Sequence, residues 1–155
     1  MKIGVCSANS GPYTTRAALK SVAELAEGFG VESVWVSEHP VLADPQQPPS
    51  PMDPADPILD PVATLAFLAG RTTSVRLGSA VIVLPFRNPL VLAKELATVD
   101  VLSEGRLIFG IGSVTSSRSS RRSERRSATA APELRSTSPQ CGRSGLSRIR
   151  NIRAN

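Results

Sequence analysis

Residues 1–112 alternate between two patterns of apolar and polar positions. Short apolar runs, rich in β-branched residues and bounded by turn residues, predict buried strands at residues 3–6, 33–37, 75–83 and 107–110. Between these runs, apolar residues recur every three or four positions, as they do on the packed face of a helix. The pattern therefore predicts three helices, one after each of the first three strands.

Capping residues predict where the first helix begins and ends. Thr14 or Thr15 can accept hydrogen bonds from the first turn, and Gly28 and Gly30 provide the stop. The apolar stripe between them predicts the buried positions, which are Leu19, Val22, Leu25, Ala26 and Phe29.

The second and third helices both carry proline in the first turn, where a missing N–H is tolerated. Asp60 can cap a helix over residues 61–69, and Asn88 with Pro89 opens another that ends near Gly105. The predicted buried stripe of the third helix is Leu92, Leu96, Val99 and Leu102. Eight prolines between residues 40 and 61 exclude a helix or central strand and predict a long, stiffened loop there.

Alternating strands and helices predict an α/β fold with parallel pairing through right-handed crossovers. The alternation suits an open doubly wound sheet or a (β/α)8 TIM barrel, and a barrel needs about 250 residues. Four strands would then form about half of a barrel. In both folds ligands bind at the carboxyl ends of the strands, so we expect Glu38, His39 and the residues around Val83 to share one rim.

The composition changes after Gly112. Residues 1–112 carry 8 Lys and Arg against 11 Asp and Glu together with all six aromatic residues, whereas residues 113–155 carry 10 against 2 and no aromatic residue. Such a segment buries too little apolar area to offset the entropy of ordering. We expect residues 113–155 to form a disordered, Arg/Ser-rich tail.

Cysteine spacing and hydropathy exclude several protein classes. Cys6 and Cys141 show no C-x-x-C or metal-ligand spacing, which argues against a disulfide scaffold or a zinc module. The first residues lack signal-peptide architecture, and no uncharged apolar run approaches the roughly 18 residues of a membrane span. We expect a cytoplasmic protein that binds no metal and no membrane.

Three segments match a known family in order and spacing. They read SVWVSEH at 33–39, RLGSAVIVLPFRNP at 76–89 and LAKELATVDVLSEGRL at 92–107. Residues 1–112 resemble the amino-terminal part of the luciferase-like monooxygenase family, and the R-N-P motif is most similar to its F420-dependent subgroup. The resemblance implies the amino-terminal half of a (β/α)8 TIM barrel, the deazaflavin F420 or FMN as cofactor, a small organic substrate, and a homodimer.

The resemblance implies roles for two neighbouring side chains. His39, the one histidine of the chain, matches a catalytic histidine beside the deazaflavin ring, where imidazole can orient or protonate reacting groups near neutral pH. From its position alone, His39 could instead cap or bind a loop. Glu38 stands where these enzymes usually carry Asp, which implies a cofactor contact; the alternative is a solvated loop carboxylate.

The resemblance also implies cofactor contacts from the backbone. Ala80 and Val81 match the place where family members carry a non-prolyl cis peptide against the cofactor ring, although an ordinary core strand is the alternative for a fragment. Val83 corresponds to a backbone contact. Gly110 and Gly112 begin a glycine-rich turn through which backbone amides approach the cofactor.

Residues 113–155 have a second interpretation that needs only the genetic code. If one base was lost at the Gly112 codon, residues 112–126 can be reread as VGYLEPEFEALGAP and residues 137–145 as AAMRALW, which look like the family's continuation. The hypothesis is that this tail is an out-of-frame translation, arising from a pseudogene or a sequencing error. The rival is a basic arm that binds nucleic-acid phosphates, although it lacks aromatic residues for base stacking.

These observations predict an oxidoreductase that moves a hydride between F420 and a small organic substrate, and that is inactive as this 155-residue chain. Two alternatives stay open. The first is an FMN-dependent monooxygenase that uses oxygen, and the second is a nucleic-acid-binding protein that acts through its basic tail.

Overall fold

The computed structural model describes residues 1–42, 44–46 and 52–112. The predicted disordered tail, the reread segments and the middle of the proline-rich loop lie outside these residues. The strands are β1 Gly4–Val5, β2 Ser33–Val36, β3 Arg76–Ser79, β4 Ile82–Val83, β5 Leu107–Ile108 and β6 Ile111–Gly112. The helices are α1 Arg16–Gly28, α2 Pro61–Ala69 and α3 Pro89–Leu102, with short 3-10 turns at Gly11–Tyr13 and Leu84–Phe86.

All strand pairs named above are parallel, as the alternating pattern predicts. One sheet has the order β1-β2-β3-β5, and β4 pairs with β6 separately. Within the described chain, β1 and β5 therefore lie at the two edges of the larger sheet. The helices cover its outer face, since buried residues of α1, α2 and α3 join the strands in one apolar core. The fold is α/β, as expected.

The predicted helix caps are confirmed. Thr15 accepts a hydrogen bond from the Ala18 N–H at 3.1 Å, and Asp60 accepts one from the Ala63 N–H at 2.9 Å. Asn88 accepts two, from the N–H groups of the second and third residues of α3, at 3.0 and 3.2 Å. Each of these bonds satisfies an N–H that has no partner inside its helix, so each helix begins where its cap stands.

The predicted buried stripes are partly wrong. Leu25 is 56% exposed, Phe29 80% and Leu102 55%, whereas the buried residues are Leu19, Ala23 and Ala26 on α1 and Leu92, Leu96 and Val99 on α3. The stripe that packs against the sheet is therefore narrower than the apolar pattern predicts. Phe29 follows α1 and Leu102 ends α3, so both project beyond the covered turns.

The third predicted strand is broken in two, and the fourth is shorter than predicted. The run over residues 75–83 divides after Ser79, and the run over 107–110 ends at Ile108 before β6 begins. At the break, the Ser79 hydroxyl accepts from the Gly110 N–H at 3.0 Å and donates to the Gly110 carbonyl at 2.9 Å. The Ser79 side chain thus binds both backbone groups of Gly110, and the Gly110 carbonyl also accepts from the Ile82 N–H at 2.9 Å. Before this point β3 pairs with β5, and after it β4 pairs with β6.

The amino ends of the strands are joined by Arg106. Its guanidinium donates to the carbonyls of Ser103, Val75 and Thr72 and to the Thr72 hydroxyl, at 2.7 to 2.8 Å. Arg106 thereby links the ends of α2 and α3 to the start of β3. Among the described residues, none of the helices has the length and apolar character needed to cross a bilayer.

Candidate functional site

A cavity of about 370 Å³ opens where the chain leaves β2 and β4, beside the segment that leads into α2. This volume falls within the range of small-molecule sites. The cavity is lined by Glu38, His39, Pro40, Ile58, Leu59, Asp60, Pro61, Phe86 and Arg87. The carboxyl ends of the strands therefore carry the cavity, as the fold class predicts.

Glu38 is buried, with 5% of its surface exposed, so the alternative of a solvated loop carboxylate is wrong. Its Oε2 accepts from the Val83 N–H at 2.6 Å, and its Oε1 accepts from Arg87 Nε at 2.7 Å. Both carboxylate oxygens are thus bound within the chain. Glu38 holds the backbone of β4 and the guanidinium that follows it.

Arg87 connects Glu38 to the start of α2. Its Nη2 donates to Asp60 Oδ2 at 2.6 Å, while Asp60 Oδ1 caps α2. Burial raises the pKa of Asp60, but the Ala63 N–H and the guanidinium outweigh it and lower the pKa below its usual value. Burial lowers the pKa of Arg87, and its bonds to the two carboxylates outweigh that and raise it. Two anions and one cation leave this trio with a net negative charge.

His39 lies on the cavity wall with an exposed side chain. Within the described parts of the chain, its imidazole has no hydrogen-bond partner. No hydrogen bond from the described residues therefore holds the ring in place. Among the titratable residues that line the cavity, Glu38, Asp60 and Arg87 are linked by hydrogen bonds, whereas His39 binds none of them.

The other predicted cofactor contacts form a second group at the strand break. The Ala80–Val81 peptide is cis, as the resemblance implies, and does not continue an ordinary strand. A Cβ on Gly110 would lie 2.1 Å from the Ser79 carbonyl oxygen, and one on Gly112 would lie 2.5 Å from a Val81 methyl carbon. Both glycines are thus required for packing.

Val83 joins the two groups. Its N–H binds Glu38 beside the cavity, and it pairs with Gly112 in the β4–β6 ladder. Val83 itself does not line the cavity, and neither do the other predicted contacts, Ala80, Val81, Gly110 and Gly112. The structure therefore places Glu38 and His39 at the cavity and the cis peptide and the two glycines at the strand break, with Val83 as the link between them.

Sequence reasoning missed three residues that build the cavity. Arg87 and Asp60 form its ion pairs, and Asn9, which is fully buried, ties the loop after β1 to both sides of the cavity. Arg87 belongs to the R-N-P motif, but the motif does not predict its ion pairs. The sequence predicts Asp60 as a helix cap and does not predict its bond to Arg87. Asn9 lies in a run of loop residues, and only its burial reveals its role.

Comparison with known proteins identifies the family. The chain matches the luciferase-like monooxygenase family over residues 1–129, a range that extends past Gly112. It belongs to this family. The expected family and fold class are confirmed, since the described chain corresponds to the amino-terminal part of a luciferase-like TIM barrel.

Relatives within the family use different cofactors. The chain is 34% identical over 88 residues to the oxygenase component of flavin-dependent trigonelline monooxygenase from Acinetobacter baylyi, covering 57% of this chain and 21% of the relative. It is 37% identical over 89 residues to F420-dependent glucose-6-phosphate dehydrogenase from Amycolatopsis mediterranei, covering 57% and 24%. This chain therefore spans about a quarter or less of these relatives.

A solved structure shows the same fold. Monooxygenase RslO1 from Streptomyces bottropensis is 32% identical and superposes with a TM-score of 0.60, over 80% of this chain and 36% of that one. The match thus covers about a third of the length of that protein.

Proposed function

We propose that residues 1–112 form the amino-terminal part of the cofactor and substrate site of an F420-dependent oxidoreductase, which transfers a hydride between the deazaflavin and a small organic substrate. The observation that carries the proposal is the exposed, unbonded imidazole of His39 on the wall of a cavity whose charged groups are bonded to one another. This arrangement suits a group that exchanges protons with a bound ligand.

The cavity residues fit the ring of such a cofactor better than its phosphates. Ile58, Leu59 and Phe86 offer apolar surface, and Arg87, the cationic residue among the described lining, is already bound by two carboxylates. When bound, the deazaflavin would supply the hydride chemistry, while the chain supplies position and electrostatics. His39 would accept or donate a proton at a ring nitrogen, and Glu38 would keep the β4 backbone in place.

An FMN-dependent monooxygenase is the second candidate, because one relative is named a flavin-dependent monooxygenase. The basic arm of the nucleic-acid alternative lies outside the described residues, and the family match favours an enzyme.

Cofactor titration of the full 155-residue chain tests the proposal. We expect F420 to bind with a dissociation constant above about 1 µM, and at least about tenfold more tightly than FMN, by fluorescence and equilibrium dialysis. The binding is weak because the described lining offers the cofactor phosphates no unpaired cation. A folded chain without saturable F420 binding at about 1 mM would contradict the proposal, and tighter FMN binding would favour the monooxygenase. Submicromolar F420 binding by a monomer would contradict the inactivity expected of this chain.

A further inference from the structure

The Asn9 side chain binds the chain just after β2, at a level of the sheet where β1 has already ended. Its Nδ2 donates to the Ser37 carbonyl at 2.8 Å, and its Oδ1 accepts from the Ser37 N–H at 2.9 Å. This amide replaces the backbone partner that β1 would have offered to the end of β2. Ser37 directly precedes Glu38 and His39, so its position sets theirs.

The same residue holds the opposite side of the cavity. Asn9 Nδ2 also donates to the Leu59 carbonyl at 2.7 Å, and the Leu59 N–H donates to the Asn9 carbonyl at 2.9 Å. Leu59 lines the cavity and precedes Asp60. One fully buried side chain therefore bonds to both walls, at residues 28 and 50 positions away in sequence.

Only a side-chain amide of this length can bind all three backbone groups, which are the carbonyls of Ser37 and Leu59 and the Ser37 N–H. The two carbonyls need two N–H donors and the Ser37 N–H needs an acceptor, which Asn provides from one planar group. Asp has no donor for either carbonyl, and Ala leaves all three backbone groups unpaired in a buried environment.

We propose that Asn9 is a positioning residue of the cavity, whose amide sets the separation between the wall that carries His39 and the wall formed by Leu59 and Asp60. Arg87 also connects the two walls, because its guanidinium forms ion pairs with Glu38 on one side and Asp60 on the other. The proposal concerns this cavity whatever ligand it takes; only its ligand-binding test rests on the proposed function.

The first test needs no variant and no ligand. In the full chain we expect the Ser37 and Leu59 backbone N–H groups and the Asn9 side-chain N–H groups to exchange slowly with deuterated solvent, by NMR. Each of these N–H groups donates to an oxygen of Asn9, Ser37 or Leu59, so exchange as fast as that of an unbonded N–H would contradict the proposal.

The second test uses two residues whose types each occur once in the chain. Because His39 is the one histidine and Trp35 the one tryptophan, each ring gives a single set of NMR signals. We expect Asn9→Ala and Asn9→Asp to shift or broaden the His39 signals in the ligand-free protein, because its wall moves. The Trp35 indole N–H, bonded to Ser33 Oγ at 2.9 Å, reports whether the sheet is intact.

Arg106→Lys is the matched control. It disrupts several part-buried hydrogen bonds at the amino ends of the strands, far from the cavity. We expect it to leave the His39 signals unchanged. Unchanged His39 signals in folded Asn9 variants, or an equal change with Arg106→Lys, would show that Asn9 has a general structural role only.

Ligand binding adds a readout that separates the two proposals. We expect Asn9→Ala to weaken F420 binding about tenfold more than Arg106→Lys does, with folded fractions matched. Equal weakening would contradict the role of Asn9. No F420 binding by the unaltered chain would contradict the proposed function, and the exchange and His39 measurements would still decide the role of Asn9.

Discussion

In this chain, a single charged side chain can bind several backbone groups and so hold the connections between helices and strands against the sheet. Glu27, near the end of α1, accepts from the N–H groups of Thr73, Ser74 and Val75 at 2.9 to 3.1 Å, and from the Thr73 hydroxyl at 2.7 Å. Consecutive N–H groups that point at one carboxylate form an anion-binding concavity. Glu27 therefore fixes the chain as it enters β3.

This concavity makes stability depend on pH. Desolvation raises the pKa of Glu27, but the bonds from Val75, Ser74 and Thr73 outweigh it and lower the pKa from 4.5 to about 2. Because the folded value lies below the unfolded one, the stabilisation is complete above pH 4.5 and is lost as the pH falls towards about 2.

We therefore expect Glu27→Gln to destabilise the protein near neutral pH and to flatten the fall in stability between about pH 5 and 2, by urea unfolding. Glu24→Gln is the control, because it removes the same charge from an exposed position on α1. An equal effect from both variants would attribute the result to net charge instead.

At the scale of the elements, one residue both begins a helix and fastens it to the site. Asp60 caps α2 with Oδ1 and binds Arg87 with Oδ2. The two oxygens have separate partners, so the cap and the ion pair can be removed separately. The start of α2 is thereby coupled to the cavity wall.

We expect Asp60→Ala to lower the free energy of unfolding by about 1 kcal/mol more than Asp60→Asn does. The reason is that Asn keeps the oxygen that caps α2 and loses only the charge. The ion pair adds little, since the Asp60 side chain is 46% exposed. Urea unfolding of both variants measures the difference. If Asp60→Asn costs as much as Asp60→Ala, the ion pair and not the cap supports α2.

At the scale of the whole molecule, the described chain has two sheets of parallel strands, one with four strands and one with two. They meet at Ser79 and Gly110. The four-stranded sheet carries the helices, and the β4–β6 pair extends from its carboxyl end toward the cavity. Residues 113–155 follow β6 in the sequence. We propose that they are an out-of-frame translation.

Resequencing the gene across the Gly112 codon tests this proposal. We expect one additional base there, which would restore the reading VGYLEPEFEALGAP after β6. A gene without that base would contradict the proposal. That outcome would agree with the family match, which extends to residue 129. The tail would then be tested for salt-dependent DNA binding, since phosphate contacts release counterions.

The helices of this protein could be predicted from the sequence because their signals are local. Thr15, Asp60 and Asn88 act on N–H groups two or three residues away, and proline at the first turn acts on its own backbone. The order of strands and helices likewise gave the parallel sheet and the end at which a site could lie. His39 was a candidate because imidazole chemistry is distinctive and the residue occurs once; the structure places it on the cavity wall, and its role stays a prediction.

The strand breaks and the bonding of the site depend on residues far apart in sequence. Ser79 meets Gly110, Glu38 meets Val83 and Arg87, and Asn9 meets Leu59, across separations of 31 to 50 positions. Periodicity describes which residues are apolar, but not which buried polar groups will find each other. That pairing follows from the packed arrangement of the chain, because a hydrogen bond forms only within about 3 Å.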